Sequence, residues 1–164
     1  MKIHLLAFLF VIPFLSFAQT KKPLDHSVHD SWQSIGEKVI SNNGKYVAYT
    51  ITPQEGDGNL IIERTNGGKL SEISRGYNAA ITEDDKYVIF KIKPWYKDTR
   101  EAKIKKKKPE EMPKDSLGII SLEDARRNKL YARVKSYKLP EDAAGWAAFL
   151  YEKAEDKKVK TLCT

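Results

Sequence analysis

The sequence predicts an all-β fold, and three observations lead to that class. Short segments rich in β-branched and aromatic residues follow one another between residues 45 and 91. Runs of Gly, Asn, Asp and Ser separate them, as is typical of tight turns between antiparallel strands. One ten-residue pattern, in which a turn leads into a strand, occurs twice. The sequence therefore favours a chain built from a repeated sheet.

The first sheet is predicted between residues 32 and 74. Turn-forming runs SNNG, GDG and NGG punctuate it, and no helical pattern interrupts it, which indicates an antiparallel meander. In its weakest strand, Trp32, Ile35 and Val39 are expected to face a core. The expected strands are residues 32–40, 45–51, 59–64 and 69–74.

A repeat then specifies the architecture. The pattern SNNGKYVAYT at residues 41–50 returns as TEDDKYVIFK at residues 82–91, an offset of 41 residues. The identical residues are Lys45, Tyr46 and Val47 in the first copy and Lys86, Tyr87 and Val88 in the second. A period of about 40 residues built from four short strands is the spacing of a β-propeller blade. The predicted fold is an incomplete β-propeller with two to three blades of four-stranded antiparallel sheet.

The second blade contains a charged stretch at residues 96–116, predicted to be a charged loop or a short helical insertion. Beyond it, residues 117–122 and 131–139 resemble the middle strands of a blade. Residues 144–151 resemble the opening strand of the next one. Residues 121–130 are alternatively a short helix, and their propensities do not decide between the two structures.

The N-terminus has the layout of a secretory signal peptide. A positive end at Lys2 precedes an apolar run at residues 5–17, and small residues mark a cleavage site between Ala18 and Gln19. The run of about 13 residues is shorter than the roughly 20 needed to span a bilayer, so no stable membrane anchor is expected after cleavage. We expect a signal peptide at 1–18, an extended lead-in at 19–31 and a partial propeller at 32–164.

The formal net charge is +7, and much of it is local, because residues 103–108 contain five lysines. Glu110, Glu111 and Asp115 follow closely, and a mixed-sign, proline-punctuated run is typical of a solvated loop. An electrostatic docking surface for nucleic acid or anionic lipid is the alternative. Nucleic acid is not the expected partner.

The residue types that carry catalysis are sparse. The sequence contains no Gly-x-Ser-x-Gly motif, and its single cysteine, Cys163, has no histidine nearby in sequence. The polar residues Asp25, His26, His29 and Asp30 resemble an N-terminal arm more than a metal site. The adjacent carboxylates at 83–85 and 110–111 are expected in solvent-facing turns. We therefore predict no catalytic, cofactor-binding or metal-ligating residue.

The tryptophans lie at predicted strand positions. Large rings there are expected to fill the space between blades, as Trp32, Trp95 and Trp146 would do.

Several segments together resemble the N-terminal region of large exported serine peptidases of the prolyl oligopeptidase family, as found in bacteria of Bacteroidetes type. The resemblance extends over residues 23–151. The segments that carry it are KPLDH at 22–26, SWQSI at 31–35, SNNGKYV at 41–47, FKIKP at 90–94, KDTREA at 97–102 and KDSLG at 114–118.

The resemblance implies that an N-terminal propeller restricts access to short peptides and caps a C-terminal α/β-hydrolase domain carrying the serine, aspartate and histidine. None of that triad matches a position in this sequence. Glu110 and Glu111 lack the context of the glutamate pair that holds a substrate amine in the dipeptidyl-peptidase branch. The resemblance also implies export to the periplasm or exterior of a Gram-negative bacterium.

The expected function is therefore that of an N-terminal propeller fragment of an exported serine peptidase. The fragment would lack the catalytic domain, need no cofactor and be inactive alone. Its expected partners are the C-terminal hydrolase domain and, in the parent protein, the peptide substrate. The alternative is a self-sufficient, non-catalytic envelope module that binds a peptide, a glycan or a protein, and such a module needs a closed core.

Overall fold

The computed structural model describes residue 29, residues 32–141, residue 143 and residues 145–153. Three antiparallel sheets follow one another along this part of the chain, and each sheet keeps its strands in chain order. Sheet 1 contains β1 Gln33–Ile40, β2 Tyr46–Pro53, β3 Asn59–Arg64 and β4 Lys69–Ser74. Sheet 2 contains β5 Gly76–Ile81, β6 Tyr87–Ile92, β7 Ser116–Ser121 and β8 Asn128–Ala132. Sheet 3 contains β9 Val134–Lys138 and β10 Ala148–Tyr151.

The coarse prediction of an all-β chain with four-stranded antiparallel sheets is confirmed. The meander predicted for the first sheet is present over Gln33–Ser74 with the expected four strands. The core-facing roles given to Trp32 and Ile35 are wrong, because these side chains are 54% and 68% exposed. Val39 does pack against the core. A register shift between Ile35 and Lys38 breaks the alternation of β1, which explains why its pattern was weak in the sequence.

The two copies of the repeated pattern form the same hydrogen-bonded turn. In the first, the Ser41 hydroxyl bonds the Asn43 side chain and accepts from the Tyr46 N–H at 2.9 Å. In the second, the Thr82 hydroxyl bonds Asp84 and accepts from the Tyr87 N–H at 3.1 Å. The repeat is therefore one structural unit used twice.

The fourth residue of each turn has a left-handed backbone. Gly44 has φ of 68°, and its counterpart Asp85 has φ of 54°. Glycine enters this region freely, and aspartate is one of the few other residues that do so readily. Both turns therefore close in the same way although their sequences differ at this position.

Sheet 2 lies between the other two sheets. Alternate residues of β6 point to opposite faces, so Val88 and Phe90 pack toward sheet 1 while Ile89 packs toward sheet 3. The core between sheets 1 and 2 buries seven side chains, namely Ala48, Leu60, Ile62, Val88, Phe90, Ile120 and Leu122. The core between sheets 2 and 3 buries Ile89, Leu117 and Val134. The three sheets are therefore stacked in series through apolar faces.

A glycine makes room for the largest core ring. Gly118 is paired directly with Phe90 across β6 and β7, and a Cβ atom at Gly118 would lie 2.4 Å from the Phe90 Cζ atom. Any side chain at this position would displace the ring from the core between sheets 1 and 2.

The charged stretch connects β6 to β7 and contains helix α1, Tyr96–Ile104, so the helical form of the insertion is the one adopted. Residues 121–130 form a turn followed by the start of β8, and not the alternative helix. The single strand suggested at 131–139 is wrong. This segment is divided at Arg133 between β8 of sheet 2 and β9 of sheet 3. A strand is present in the segment 144–151 as β10, Ala148–Tyr151, but its predicted role as the opening strand of the next sheet is wrong, because β9 precedes it in sheet 3 and pairs with it.

The prediction that tryptophans fill the space between sheets is also wrong. Trp32, Trp95 and Trp146 are 54%, 50% and 60% exposed. The buried side chains of the two cores are aliphatic apart from Phe90, and they carry no polar group that would need a partner.

Candidate functional site

The identical residues of the repeated pattern lie on strands or at the ends of turns. Val47 lies on β2 of sheet 1 and Val88 on β6 of sheet 2, and Lys45 and Lys86 end their turns at exposed positions. Tyr46 packs on the core between sheets 1 and 2, whereas Tyr87 is 43% exposed. The structure does not bring these residues together into a site. Ala18 and Gln19 lie outside the described residues.

The candidate metal cluster and the cysteine are largely outside the described residues as well, since Asp25, His26, Asp30 and Cys163 are not among them. His29 is described, and its ring lies 4.5 Å from that of Trp32. No group of three or more His, Cys, Asp or Glu side chains suited to a metal ion occurs in the part of the chain that the structure describes.

The acidic turn at 83–85 has a structural role that the sequence did not reveal. The two carboxylate oxygens of Asp85 accept hydrogen bonds from the backbone N–H groups of Asn42 and Asn43, both at 2.8 Å. The carboxylate of the second turn therefore holds the first turn and joins sheet 2 to sheet 1.

A second link joins the first strands of the three sheets. The Glu37 carboxylate on β1 accepts a hydrogen bond from the Asn78 N–H on β5 at 2.6 Å. The Tyr137 hydroxyl on β9 donates to the Asn78 carbonyl at 2.6 Å. Burial, followed by the charge of Glu37 and the neighbouring Tyr77, raises the pKa of Tyr137 to about 12. Asn78 thus connects β1 with β9 through its own backbone, which has φ of 47°.

A partly buried polar network lies beside this link, on the face of sheet 2 that meets sheet 3. The Lys91 ammonium group lies 2.7 Å from the Asp115 carboxylate, which also accepts from the Tyr77 hydroxyl at 2.5 Å. Lys91 donates further to the Lys135 carbonyl on β9 at 3.0 Å. Its side chain is 12% exposed, so the pair is largely removed from water.

The pKa shifts in this network show mutual stabilisation of its members. Burial lowers the pKa of Lys91, but hydrogen bonds with Asp115 and Tyr77 outweigh that cost and leave the pKa raised. Burial, and then the hydrogen bond to Asp115, raises the pKa of Tyr77. A proton donor whose pKa is raised in this way holds its proton more firmly, so the network is suited to joining sheets rather than to proton transfer.

Two arginines repeat one junction between sheets. Arg75 lies between β4 and β5 and Arg133 between β8 and β9, and both have left-handed backbones with φ of 64° and 61°. The Arg75 carbonyl accepts from the Lys93 N–H at 3.0 Å, and its guanidinium donates to the Lys93 carbonyl at 2.8 Å. The Arg133 carbonyl accepts from the Glu152 N–H at 2.7 Å, and its guanidinium donates to the Lys153 carbonyl at 2.9 Å.

Sequence reasoning missed this junction. The two arginines are 58 residues apart, whereas the visible repeat has an offset of 41 residues, because the insertion lengthens the second unit. An alignment of the two units with a gap at the insertion would have paired Arg75 with Arg133. The Arg75 guanidinium also lies 3.8 Å from the centre of the Trp95 ring, which gives that exposed tryptophan a cation–π partner.

A groove of about 540 Å³ lies on the sheet 3 side of sheet 2. Its apolar wall is formed by residues of sheet 2, including Ile119 and Tyr131, and by Trp146. Arg126 and Arg127 lie at its rim with side chains 92% and 82% exposed. An apolar wall with a cationic rim suits an apolar segment that carries negative charge, and the lining residues that the structure describes include no carboxylate or imidazole for acid–base catalysis.

Comparison with known proteins gives no match, either to a protein-family model, to a curated protein or to a solved structure. Within the described ranges, no helix is both long and apolar enough to cross a bilayer.

Proposed function

We propose that this chain forms the first blades of a β-propeller in an exported serine peptidase of the prolyl oligopeptidase family. In this proposal the propeller limits access to short peptides, and the catalytic residues belong to an α/β-hydrolase domain. The observation that carries the proposal is the repeated junction. Arg75 and Arg133 each lie between the last strand of one sheet and the first strand of the next, and in both the carbonyl accepts from a backbone N–H and the guanidinium donates to a backbone carbonyl.

The stacking of the sheets supports a propeller. Consecutive four-stranded antiparallel sheets packed face to face are the units of this architecture. The links from Glu37 to Asn78 and from Tyr137 to Asn78 hold the first strands of all three sheets side by side. Such strands surround the central channel of a propeller, so these polar groups would lie beside the route of a peptide.

The groove also supports the proposal. Leu70 and Ile73 of β4 contact the same core as Ile120 of β7, so the fourth strand of sheet 1 packs on sheet 2. Sheet 3 has two described strands, and the groove lies over β7 and β8, where two further strands of a third blade would pack. A complete third blade would therefore cover Ile119 and Tyr131.

A non-catalytic binding module is the second candidate, and the same groove favours it. On this alternative the groove takes a ligand in the place of strands. The two candidates differ in what covers Tyr131: a strand of the same protein or a separate molecule.

The reading frame beyond the codon for Thr164 distinguishes them. A frame that continues through further blades to a Gly-x-Ser-x-Gly motif supports the peptidase. A stop codon directly after Thr164 in the native gene overturns it and favours the binding module.

Two biochemical measurements complete the test. The purified chain from residue 19 onward is expected to leave a chromogenic Xaa-Pro peptide uncleaved, and turnover that survives separation from host peptidases would contradict the proposal. Export is tested by N-terminal sequencing of the protein recovered from the periplasm or medium. A mature N-terminus at Gln19 is expected, and retention of residues 1–18 in the cytoplasm would contradict it.

A further inference from the structure

We propose that the C-terminal end of α1 and the turn after it, residues 103–108, dock the protein on anionic lipid headgroups. This surface, here called the lysine turn, contains Lys103, Lys105, Lys106, Lys107 and Lys108. The inference is independent of peptidase activity and rests only on the proposed export.

The helix is fixed at one end and projects at the other. At its start, the Tyr96 N–H donates to the Asp57 carboxylate at 2.9 Å, and the Tyr96 hydroxyl donates to Glu55 at 2.5 Å. Asp57 supplies the carboxylate that the N-cap residue, Trp95, lacks. Ala102 is the buried residue of the helix, and Ile104 at its end is 71% exposed. The far end is thus presented to solvent on a rigid support.

The lysines of the turn are mostly without acidic partners. Lys105 pairs with Glu101 at 2.6 Å, while no ion pair is formed by Lys103, Lys106, Lys107 or Lys108 among the described residues. Glu110 and Glu111 follow in the chain, but neither forms an ion pair with a lysine of the turn within the described ranges. The local positive charge is therefore available to a partner.

The backbone of the turn spreads these charges apart. The Lys107 N–H bonds the Ala102 carbonyl at 3.1 Å, and the Lys106 N–H bonds the Lys103 carbonyl at 3.0 Å. This is the Schellman pattern, in which the left-handed residue is usually glycine. Here it is Lys106, with φ of 49°. A lysine at that position adds a charge where a glycine would relieve backbone strain.

Two features favour lipid over nucleic acid as the partner of the lysine turn: the exposed Ile104 side chain and the proposed export of the protein. An exposed isoleucine among lysines can enter the headgroup boundary, as the apolar residues of interfacial helices do, whereas a phosphate backbone offers it no apolar surface. Clusters of four to eight basic residues on such a helix are typical of anionic lipid binding. An exported protein meets lipid surfaces and little nucleic acid.

The test measures co-sedimentation with phosphatidylcholine vesicles with and without phosphatidylglycerol. The protein is taken from the exported fraction and checked for absence of residues 1–18, because that apolar segment would itself enter lipid. Binding is expected only with phosphatidylglycerol and is expected to weaken as salt rises. Equal binding to neutral vesicles would overturn the proposal.

Two charge-matched variants locate the surface. Replacing Lys106, Lys107 and Lys108 together by Gln is expected to weaken binding ~100-fold, at about fivefold per lysine. Replacing Lys38, Lys45 and Lys138 by Gln removes the same charge from exposed positions elsewhere and is expected to change binding less than about threefold. An equal loss in both variants would show that net charge alone acts, and would overturn the docking surface.

Two single variants separate binding from folding and lipid from other polyanions. Lys106→Gly relieves the left-handed strain, so stability should be unchanged or higher while affinity falls about fivefold. A Lys106→Gly protein that keeps full affinity would contradict the proposal. Ile104→Ser is expected to weaken vesicle binding and leave binding to duplex DNA unchanged. If Ile104→Ser binds vesicles as tightly as the parent protein does, and the parent protein binds duplex DNA as tightly as vesicles, the assignment to lipid is overturned.

Discussion

The junction between sheets 1 and 2 and the junction between sheets 2 and 3 share a design but differ in closure. Both begin with a left-handed arginine, and both use an apolar face of sheet 2. The first buries seven side chains, whereas the second buries three and opens into the groove. The hydrogen-bonded junction therefore forms independently of a complete apolar interface.

The two junctions also differ in their polar links. The first has the Asp85 carboxylate bound to the opposite turn, whereas the second has the Lys91 and Asp115 pair with a bond to the Lys135 carbonyl. A charged pair largely removed from water depends on having every hydrogen bond satisfied. The second junction thus relies more on polar contacts, and the first more on packing.

A pair of matched core substitutions gives the largest expected effect. Leu60 in the first junction and Leu117 in the second are both 0% exposed, so Leu→Ala removes the same atoms at each site. We expect a loss of unfolding free energy of about 4 kcal/mol for Leu60→Ala and about 2–3 kcal/mol for Leu117→Ala. The difference arises because the open second junction can relax around the cavity.

Urea denaturation of the two variants, followed by fluorescence, measures both losses. Equal losses would show that the two junctions are equally closed, and the comparison would fail. A conservative Ile89→Val change in the second junction, expected to cost about 1 kcal/mol, checks that the probe responds to that region.

The Asp85 link is expected to have the next largest effect. Asp85→Gly keeps the left-handed turn, as Gly44 does in the first copy, but removes the carboxylate that holds Asn42 and Asn43. The expected loss is about 1–2 kcal/mol. Glu83→Gln, at an exposed neighbouring position, is the control and should change stability by less than about 0.5 kcal/mol. A loss from Glu83→Gln as large as that from Asp85→Gly would contradict the role of this link.

The arginine junctions give a smaller effect that differs between the two sites. Lysine keeps the charge but cannot reproduce the planar donor or its stacking. Arg75→Lys is expected to cost about 1–2 kcal/mol because it also loses the Trp95 contact, and Arg133→Lys about 0.5–1 kcal/mol. Trp95→Leu should remove only the stacking contact with the Arg75 guanidinium and leave the hydrogen bonds of Arg75 in place. Thermal unfolding of the three variants tests this order of stability losses. A larger loss from Arg133→Lys than from Arg75→Lys would contradict it.

The parts of this fold that could be predicted are those with short-range signals. The turn from Ser41 to Gly44 and the strand after it are encoded by adjacent residues, so both copies were recognised. The meander order followed from the same turns. The insertion was located by its charge, although propensity alone did not choose the helix.

The candidate site depended on contacts that no local pattern encodes. Tyr77, Lys91 and Asp115 are brought together by strand pairing across the insertion, so their spacing in sequence carries no signal. Arg75 and Arg133 resemble ordinary surface arginines until their left-handed backbones are known. The tryptophans were misplaced for a related reason, because ring size alone does not tell a core residue from a half-exposed one such as Trp95, which stacks on the Arg75 guanidinium.

The smallest expected effect is the pH dependence of the link at Tyr137. Because the folded pKa of Tyr137 is raised to about 12, above the unfolded value of about 10, the folded state favours the protonated phenol. This contribution is complete below about pH 10 and is lost as the pH rises toward 12. With allowance for partial exposure it amounts to roughly 1 kcal/mol. Tyr137→Phe should flatten the alkaline fall in stability, and tyrosinate absorbance in the variant should lose the delayed titration of Tyr137 while that of Tyr77 remains. An unchanged alkaline profile in Tyr137→Phe would mean that β9 is not held to Asn78 through this hydroxyl, and the second junction would then depend on Lys91, Asp115, the Arg133 bonds and its apolar core.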